Sequence, residues 1–185
     1  MDYAQVLPAP LKFASGYINY PLELEGLPET IQVSGMALTR KSEFHCSLLC
    51  VKCLTSELEQ RGQTPDQAAA SLLSIFSELT KTQPLLFVGL TGELRLIKKD
   101  DRHTLVAMCE ISGLRRVFQL LNAQLDMSIP LQPAHITLYT SEPDKGIGIS
   151  SIEELENMSQ PLAEPEVMRL KSELTIEERL LPTHG

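Results

Sequence analysis

The sequence predicts an α+β fold in which two lobes each carry a sheet and a covering helix. Two observations carry this prediction: strand-like runs occur in groups, and two amphipathic helical segments separate those groups. The resulting order, ββ-α-βββ-α-β, differs from the regular βαβ alternation of parallel sheets. A chain of 185 residues suits one domain of this kind. We therefore expect residues 1–185 to form a single bilobal domain, in which 160–185 could be a strand, a helix or a loose tail.

The first half of the chain predicts a hairpin followed by a helix. A weak strand signal, FASGYINY, precedes two clearer strand-like runs, IQVSGMALT and EFHCSLLCV, and the polar stretch 40–42 between the clear runs predicts a hairpin. A helix should start at Thr64, with Pro65 in the first helical position, and end before Pro84. Its apolar residues recur at helical spacing: Leu72, Leu73, Phe76 and Leu79.

The second half predicts a meander, a helix and a further strand. The runs LLFVGL, ELRLIKK and HTLVAMCEI read as three antiparallel strands with turns at Thr91-Gly92 and Asp100-Asp101. A second amphipathic helix should follow Gly113, since its apolar residues again share one face: Leu114, Val117, Phe118, Leu121 and Leu125. The strand-like run PAHITLYT comes next, and Ser150 or Ser151 should cap a short helix after it.

Composition and charge restrict where the protein works and what it binds. The chain is 43% hydrophobic, yet no apolar run approaches the roughly 18 residues needed to cross a bilayer, so we expect no membrane role. The opening MDYAQVLPAP lacks the pattern of a secretory signal, which predicts a cytoplasmic protein. In that reducing compartment, an even cysteine count does not imply a disulfide framework. The four cysteines are Cys46, Cys50, Cys53 and Cys109.

A net charge of −8 disfavours binding of long or duplex nucleic acid over a broad surface. A small nucleotide, or one end of an RNA, could still bind through a few local positive charges. The expected oligomeric state is a monomer.

Two of the four histidines lie in the same six-residue pattern, F-H-C-S-L-L and A-H-I-T-L-Y, 90 residues apart. Alternation along a strand puts His45 and Ser47 on one face, and likewise His135 and Thr137. The residues between them are apolar and suit a core beneath the strand. An isolated histidine of this kind is more often structural, but the repeated pattern favours a paired functional site. His103 and His184 lack the pattern and are expected at the surface.

Two imidazoles and two hydroxyls suit the opening of a cyclic phosphodiester. One histidine can remove a proton from the attacking water while the other protonates the leaving oxygen, since the pKa of a free histidine is about 6.5. Ser47 and Thr137 would donate hydrogen bonds to the non-bridging phosphate oxygens. The sequence does not say which histidine is the base.

In these two motifs, His45 to Leu48 and His135 to Leu138, the chain resembles the 2H phosphoesterase superfamily. The resemblance implies a bilobal α+β fold, with two pseudo-twofold-related antiparallel sheets and covering helices around a central cleft. It also implies metal-independent action, without a cofactor, on 2′,3′-cyclic phosphates or 2′-5′ linkages of RNA ends and small nucleotides. The implied product carries a 2′-phosphate.

Four further residues are candidates for substrate binding. Tyr139 follows Thr137 at strand spacing and could stack on a base. Arg40, Lys41 and Lys145 flank the two motifs and could supply positive charge at the mouth of the cleft. For each of these residues an ordinary structural or surface role is the alternative.

Two other interpretations remain open at this stage. His45 and the cysteines near it include possible zinc ligands, but strand alternation divides them between opposite faces, which argues against a metal site. A catalytically silent nucleotide- or RNA-binding module of the same fold is the second alternative.

Overall fold

The computed structural model describes residues 6–175 and 177–179. The described part of the chain contains short and long strands together with five helices. In chain order they are β1 (Lys12–Ala14), β2 (Tyr17–Glu25), β3 (Thr30–Val33), β4 (Met36–Arg40), β5 (Phe44–Cys50), α1 (Val51–Gln60), α2 (Pro65–Thr82), β6 (Leu86–Lys99), β7 (Arg102–Ser112), α3 (Leu114–Leu125), β8 (His135–Thr140), α4 (Ile152–Met158), β9 (Ser159–Gln160), α5 (Glu164–Glu173) and β10 (Glu177–Arg179).

The strands join into one connected sheet with antiparallel pairing. Its main order is β1-β2-β5-β8-β7-β6-β9, while β4 also pairs with β8, β3 with β4 and β10 with β2. The predicted α+β class is confirmed. Two pseudo-twofold-related sheets are not confirmed, because β5 and β8 connect the two halves of the sheet through the bridged pair Cys46 and Ile136.

Helix α2 begins as its sequence predicts. Thr64 accepts a hydrogen bond from the Gln67 amide while the Gln67 side chain accepts one from the Thr64 amide, which forms a capping box around Pro65. The predicted helix over residues 114–125 is also present as α3. Leu72 and Phe76 of α2 are fully buried in the main core.

The main core separates the two faces of β5 and β8. Cys46, Leu48, Ile136 and Leu138 are fully buried in the same core as the apolar face of α2. The residues that alternate with them in the two motifs point to the opposite face of the sheet, as the periodicity predicts: His45, Ser47, His135 and Thr137.

A smaller core lies on that opposite face and positions the loop that follows β8. Val106 pairs with Thr137 in the β7-β8 register, so the two side chains share a face. Val106 packs with Ile147 and Ile149 of the loop and with Leu155 of α4, all of them buried. Ser151 caps α4 by accepting a hydrogen bond from the Glu154 amide, as one of the two predicted caps.

Two details of the predicted topology are wrong. The predicted hairpin at 40–42 does not form, because β4 pairs with β8 instead of β5. The hairpin that does form joins β3 to β4, at Ser34 and Gly35 with positive φ angles of 48° and 77°. Thr91-Gly92 lies within the long strand β6 at a register shift, so two predicted strands are one. Asp100-Asp101, in contrast, does form the turn between β6 and β7.

Helix α1 was not predicted, because the strand-like run EFHCSLLCV continues into it without a break in apolar character. The C-terminal segment contains a helix, α5, and a short strand, β10; the remainder, including His184, lies outside the described residues. No helix in 6–175 and 177–179 combines the length and apolar character needed to cross a membrane.

Candidate active site

The two histidine motifs lie side by side at the centre of the sheet. Because β5 and β8 are antiparallel and bridge at Cys46 and Ile136, His45 and Ser47 flank the bridge on one strand and His135 and Thr137 flank it on the other. All four line one cleft with a volume of about 730 Å³. The predicted convergence of the two motifs is therefore present in the structure.

Hydrogen bonds connect two of the segments that line the cleft. The Ser42 amide and hydroxyl each donate to Asp144 Oδ1 at 2.9 Å, and Lys41 Nζ donates to the Asp144 carbonyl oxygen at 3.2 Å. These bonds from Ser42 hold the pKa of the Asp144 carboxyl below its ordinary value. The segment before β5 is thereby tied to the loop after β8, next to His45.

His135 lies at the base of the cleft and is only 5% exposed. Its Nδ1 bonds the Pro133 carbonyl oxygen at 2.7 Å, and because a carbonyl only accepts, Nδ1 carries the hydrogen. Burial lowers the pKa of the His135 imidazole below its ordinary value, and the bond to Pro133 opposes this shift. In its neutral form the ring therefore has a lone pair on Nε2.

His45 is more accessible and lies among charges of both signs. Burial is again the largest cause that lowers the pKa of its imidazole, and the positive charges of Lys41 and His135 act in the same direction. The Glu43 carboxylate opposes them.

Two buried polar residues support Ser47, and the sequence did not identify either of them. Ser47 Oγ donates to Asn19 Oδ1 at 2.8 Å, and Gln132 Nε2 donates to the Ser47 carbonyl oxygen at 3.0 Å. Asn19 and Gln132 are 6% and 3% exposed, so each is a polar group held inside the fold. The sequence does contain a signal for Asn19, because burying a polar residue within an apolar strand costs free energy. The same reasoning identified His45.

Thr137 faces the loop that follows β8. A Cβ at Gly146 would lie 3.7 Å from Thr137 Oγ1, which places the loop backbone beside this hydroxyl. Thr137 is half-buried and lines the cleft. Its position fits a hydroxyl that contacts a bound group from the side opposite Ser47.

The cleft concentrates positive charge in an acidic protein. Among the described residues, five lysines and arginines line the cleft, against two acidic residues, Glu43 and Asp144. The basic residues come from separate segments of the chain: Lys12, Lys41, Lys52, Arg102 and Lys145. Of these, the sequence had identified Lys41 and Lys145.

Two predicted binding residues lie outside the cleft lining. Tyr139 is fully buried in the main core, and its hydroxyl donates to the Pro28 carbonyl oxygen at 2.8 Å. Burial raises the pKa of Tyr139 to about 12. The Arg40 guanidinium donates to the Leu27 carbonyl oxygen at 2.5 Å. The stacking role expected for Tyr139 is therefore corrected to a core role, because no ring face is exposed, and Arg40 instead holds the segment before β3.

The cysteines near His45 do not form a metal site. Cys50 and Cys53 form a disulfide, and Cys46 is buried on the core side of β5. Across residues 6–175 and 177–179, no cluster of three or more histidine, cysteine or acidic residues has a geometry that could hold a metal ion. His103 is half-buried on β7 and does not line the cleft.

Comparison with known proteins gives no family assignment: no family model, no curated protein and no solved structure matches this chain.

Proposed function

We propose that the protein is a metal-independent phosphodiesterase that acts on 2′,3′-cyclic phosphates or 2′-5′ linkages of RNA ends or small nucleotides. The observation that carries this proposal is the convergence of two histidines and two hydroxyls on one sheet face, at the base of a cleft lined by lysines and arginine. The resemblance of the two motifs to the 2H phosphoesterases supports the same chemistry.

The surroundings of the histidines suggest their roles. His135 is the base, because its Nδ1 hydrogen bond to Pro133 leaves Nε2 as the acceptor. When Nε2 takes a proton from the attacking water, the Pro133 carbonyl stabilises the resulting imidazolium. Burial lowers the pKa of the His45 imidazole, and the Glu43 carboxylate opposes this shift. With that carboxylate beside it, His45 is the acid that protonates the departing ribose oxygen.

The hydroxyls contribute unequally. Thr137 is free to turn its hydroxyl toward a non-bridging oxygen, whereas Ser47 already donates to Asn19 and must exchange that bond for one to phosphate. The lysines around the cleft offset the charge of the bound phosphate.

A silent binding module is the second candidate, and one observation favours it. The pKa values of both imidazoles are lowered, so near neutral pH the protein without ligand contains little of the charged form that the acid role requires. An anionic ligand in the cleft would raise both pKa values again, so the fraction of charged imidazole depends on whether a ligand is bound.

The direct test is turnover in the presence of EDTA. Purified protein is incubated with 2′,3′-cyclic mononucleotides, 2′-5′ dinucleotides and an RNA that ends in a cyclic phosphate, and monoester products are measured. We expect hydrolysis of at least one class, with His103→Ala as a control that retains the rate. Binding without turnover of any of them would support the silent module and contradict the enzyme.

A further inference from the structure

A disulfide spans the first turn of α1, immediately beyond the catalytic motif. Cys50 is the last residue of β5 and the N-cap of the ten-residue helix, and it bonds to Cys53 three residues later. Cys50 is 4% exposed, whereas Cys53 is exposed to solvent. An attacking group can therefore approach Cys53, while Cys50 is positioned as the sulfur that leaves.

One of the two residues enclosed by this disulfide lines the cleft. Lys52 lies between the two cysteines, and its ammonium group is 4.6 Å from the centre of the Tyr17 ring. Its amide donates to the Gly16 carbonyl oxygen at 3.1 Å, and its side chain packs so closely on Gly16 that no Cβ would fit there. Tyr17 in turn pairs with Cys50 in the β2-β5 register.

Lys52 and Tyr17 both line the cleft, and Lys52 follows the end of β5 whereas Lys41 precedes its start. The disulfide is consequently linked to the cleft wall by covalent connectivity, by a backbone hydrogen bond and by a cation-π contact. Ionisation of either cysteine after reduction would therefore change the net charge beside this wall.

We propose that Cys50 and Cys53 form a thiol-disulfide exchange site whose substrate is a dithiol, and that its redox state sets how strongly the Lys52 end of the cleft attracts an anion. The exchange site is independent of the proposed phosphodiesterase function. Only its effect on turnover rests on that function.

The exchange proceeds in two steps. A thiolate of the dithiol attacks Sγ of Cys53, the Cys50-Cys53 bond breaks, and the electron pair leaves on Cys50 as a thiolate. The second thiol of the reagent, once deprotonated, then attacks its own sulfur in the mixed disulfide and releases Cys53 as a thiolate. The reagent ends as a disulfide, and the two protein thiolates take up protons according to pH.

Helix geometry favours Cys50 as the leaving sulfur. As N-cap of α1, Cys50 lies at the helix end whose first amides have no partner within the helix, and an anion near this end is stabilised. A Cys50 thiolate places negative charge two residues before Lys52. The reduced protein should therefore bind an anionic ligand more weakly than the oxidised protein.

The exchange site is tested by counting thiols. The purified protein is incubated with and without dithiothreitol under native conditions, then denatured, alkylated and weighed by mass spectrometry. Without reductant we expect two alkylated thiols, Cys46 and Cys109; after native reduction we expect four. Cys53 is exposed, and Cys53→Ser removes the partner of Cys50, so Cys50 should be alkylated in both samples. If native dithiothreitol leaves the disulfide intact, or if the untreated protein already shows four thiols, the proposal is wrong.

The link to the cleft is tested by affinity. Binding of 2′,3′-cyclic AMP, measured by calorimetry, should weaken about two- to fivefold on reduction, the size expected for one partly exposed charge interaction. Lys52→Gln should abolish this difference, while Cys109→Ala should retain it. Equal affinity in both redox states would overturn the link to the cleft. Since binding and thiol counts need no turnover, their failure is distinguishable from failure of the proposed enzyme.

Discussion

His45 and His135 have the same sequence context but unequal surroundings. His135 is nearly inaccessible and is fixed by a carbonyl, while His45 is half-buried between Lys41, Glu43 and its partner histidine. The sequence pattern identified the pair because strand alternation is local. It could not assign their roles, because the Pro133 bond and the differing burial come from folding.

The pH dependence of catalysis should reflect both histidines. Both pKa values are lowered. The base therefore stays neutral down to a lower pH than a free imidazole would. The acid likewise loses its proton at a lower pH than a free imidazole would. We expect kcat/KM to peak on the acidic side of about pH 6.5. The kcat profile should lie at higher pH, because a bound phosphate anion favours imidazolium.

Initial rates across pH 4.5 to 9, with buffers overlapped at constant ionic strength, test this pH dependence. A kcat/KM that rises steadily through neutral pH, without an alkaline limb, would contradict the acid role of His45.

At the scale of elements, local signals predicted α2, α3, β5 and β8. The pattern that predicts each element lies within its own residues, such as the capping box and apolar spacing in α2 and the alternation in β8. The wrong predictions concern which strands pair and where a strand is interrupted. Nothing near Arg40 indicates that β4 pairs with β8 instead of β5, since that choice depends on residues about 100 positions away.

Site residues contributed by other elements were missed for the same reason. Asn19 belongs to β2 and reaches Ser47 only because β2 pairs with β5 in this register. Tyr139 failed as a stacking residue because the register between β7 and β8 shifts after Thr137. Simple alternation therefore ends before Tyr139.

The contact between the β8-α4 loop and β2 can be tested by adding one methyl group. A Cβ at Gly148 would collide with the Tyr17 hydroxyl, so Gly148→Ala should lower the free energy of unfolding by about 1–3 kcal/mol. Tyr17→Phe in the same chain should recover most of this loss. The measurement is urea unfolding followed by circular dichroism.

Gly146→Ala is the matched control, because its Cβ would meet Thr137 only at ordinary contact distance. If the losses in Gly148→Ala and Tyr17→Phe simply add in the double variant, the two residues are not in contact.

The whole molecule combines a net charge of −8 with a cleft that has more basic than acidic residues. The overall charge argues against a broad basic surface, but it does not reveal the cleft. Lys12, Lys52 and Arg102 come from distant segments and converge only through the fold. Charge totals describe the surface on average, whereas binding depends on where the charges lie.

Salt should therefore weaken substrate binding without slowing the chemical step. Raising NaCl from 50 to 500 mM should increase KM for a cyclic nucleotide severalfold and leave kcat unchanged, since partly exposed charges are screened. Lys12→Gln should reduce this dependence, whereas Lys98→Gln, which is exposed and outside the cleft lining, should not. A KM that is independent of salt would show that the cleft lysines do not act on the substrate.

The central claim is that two histidines share one acid-base reaction. Its most direct test is kcat for a 2′,3′-cyclic nucleotide, measured in EDTA for the wild type, His45→Ala, His135→Ala and the double variant. We predict that each single substitution lowers kcat by at least ~10²-fold. We also predict that the double variant is little worse than either single variant, because the two groups act as a unit. A single variant that retains nearly the full rate would contradict the claim.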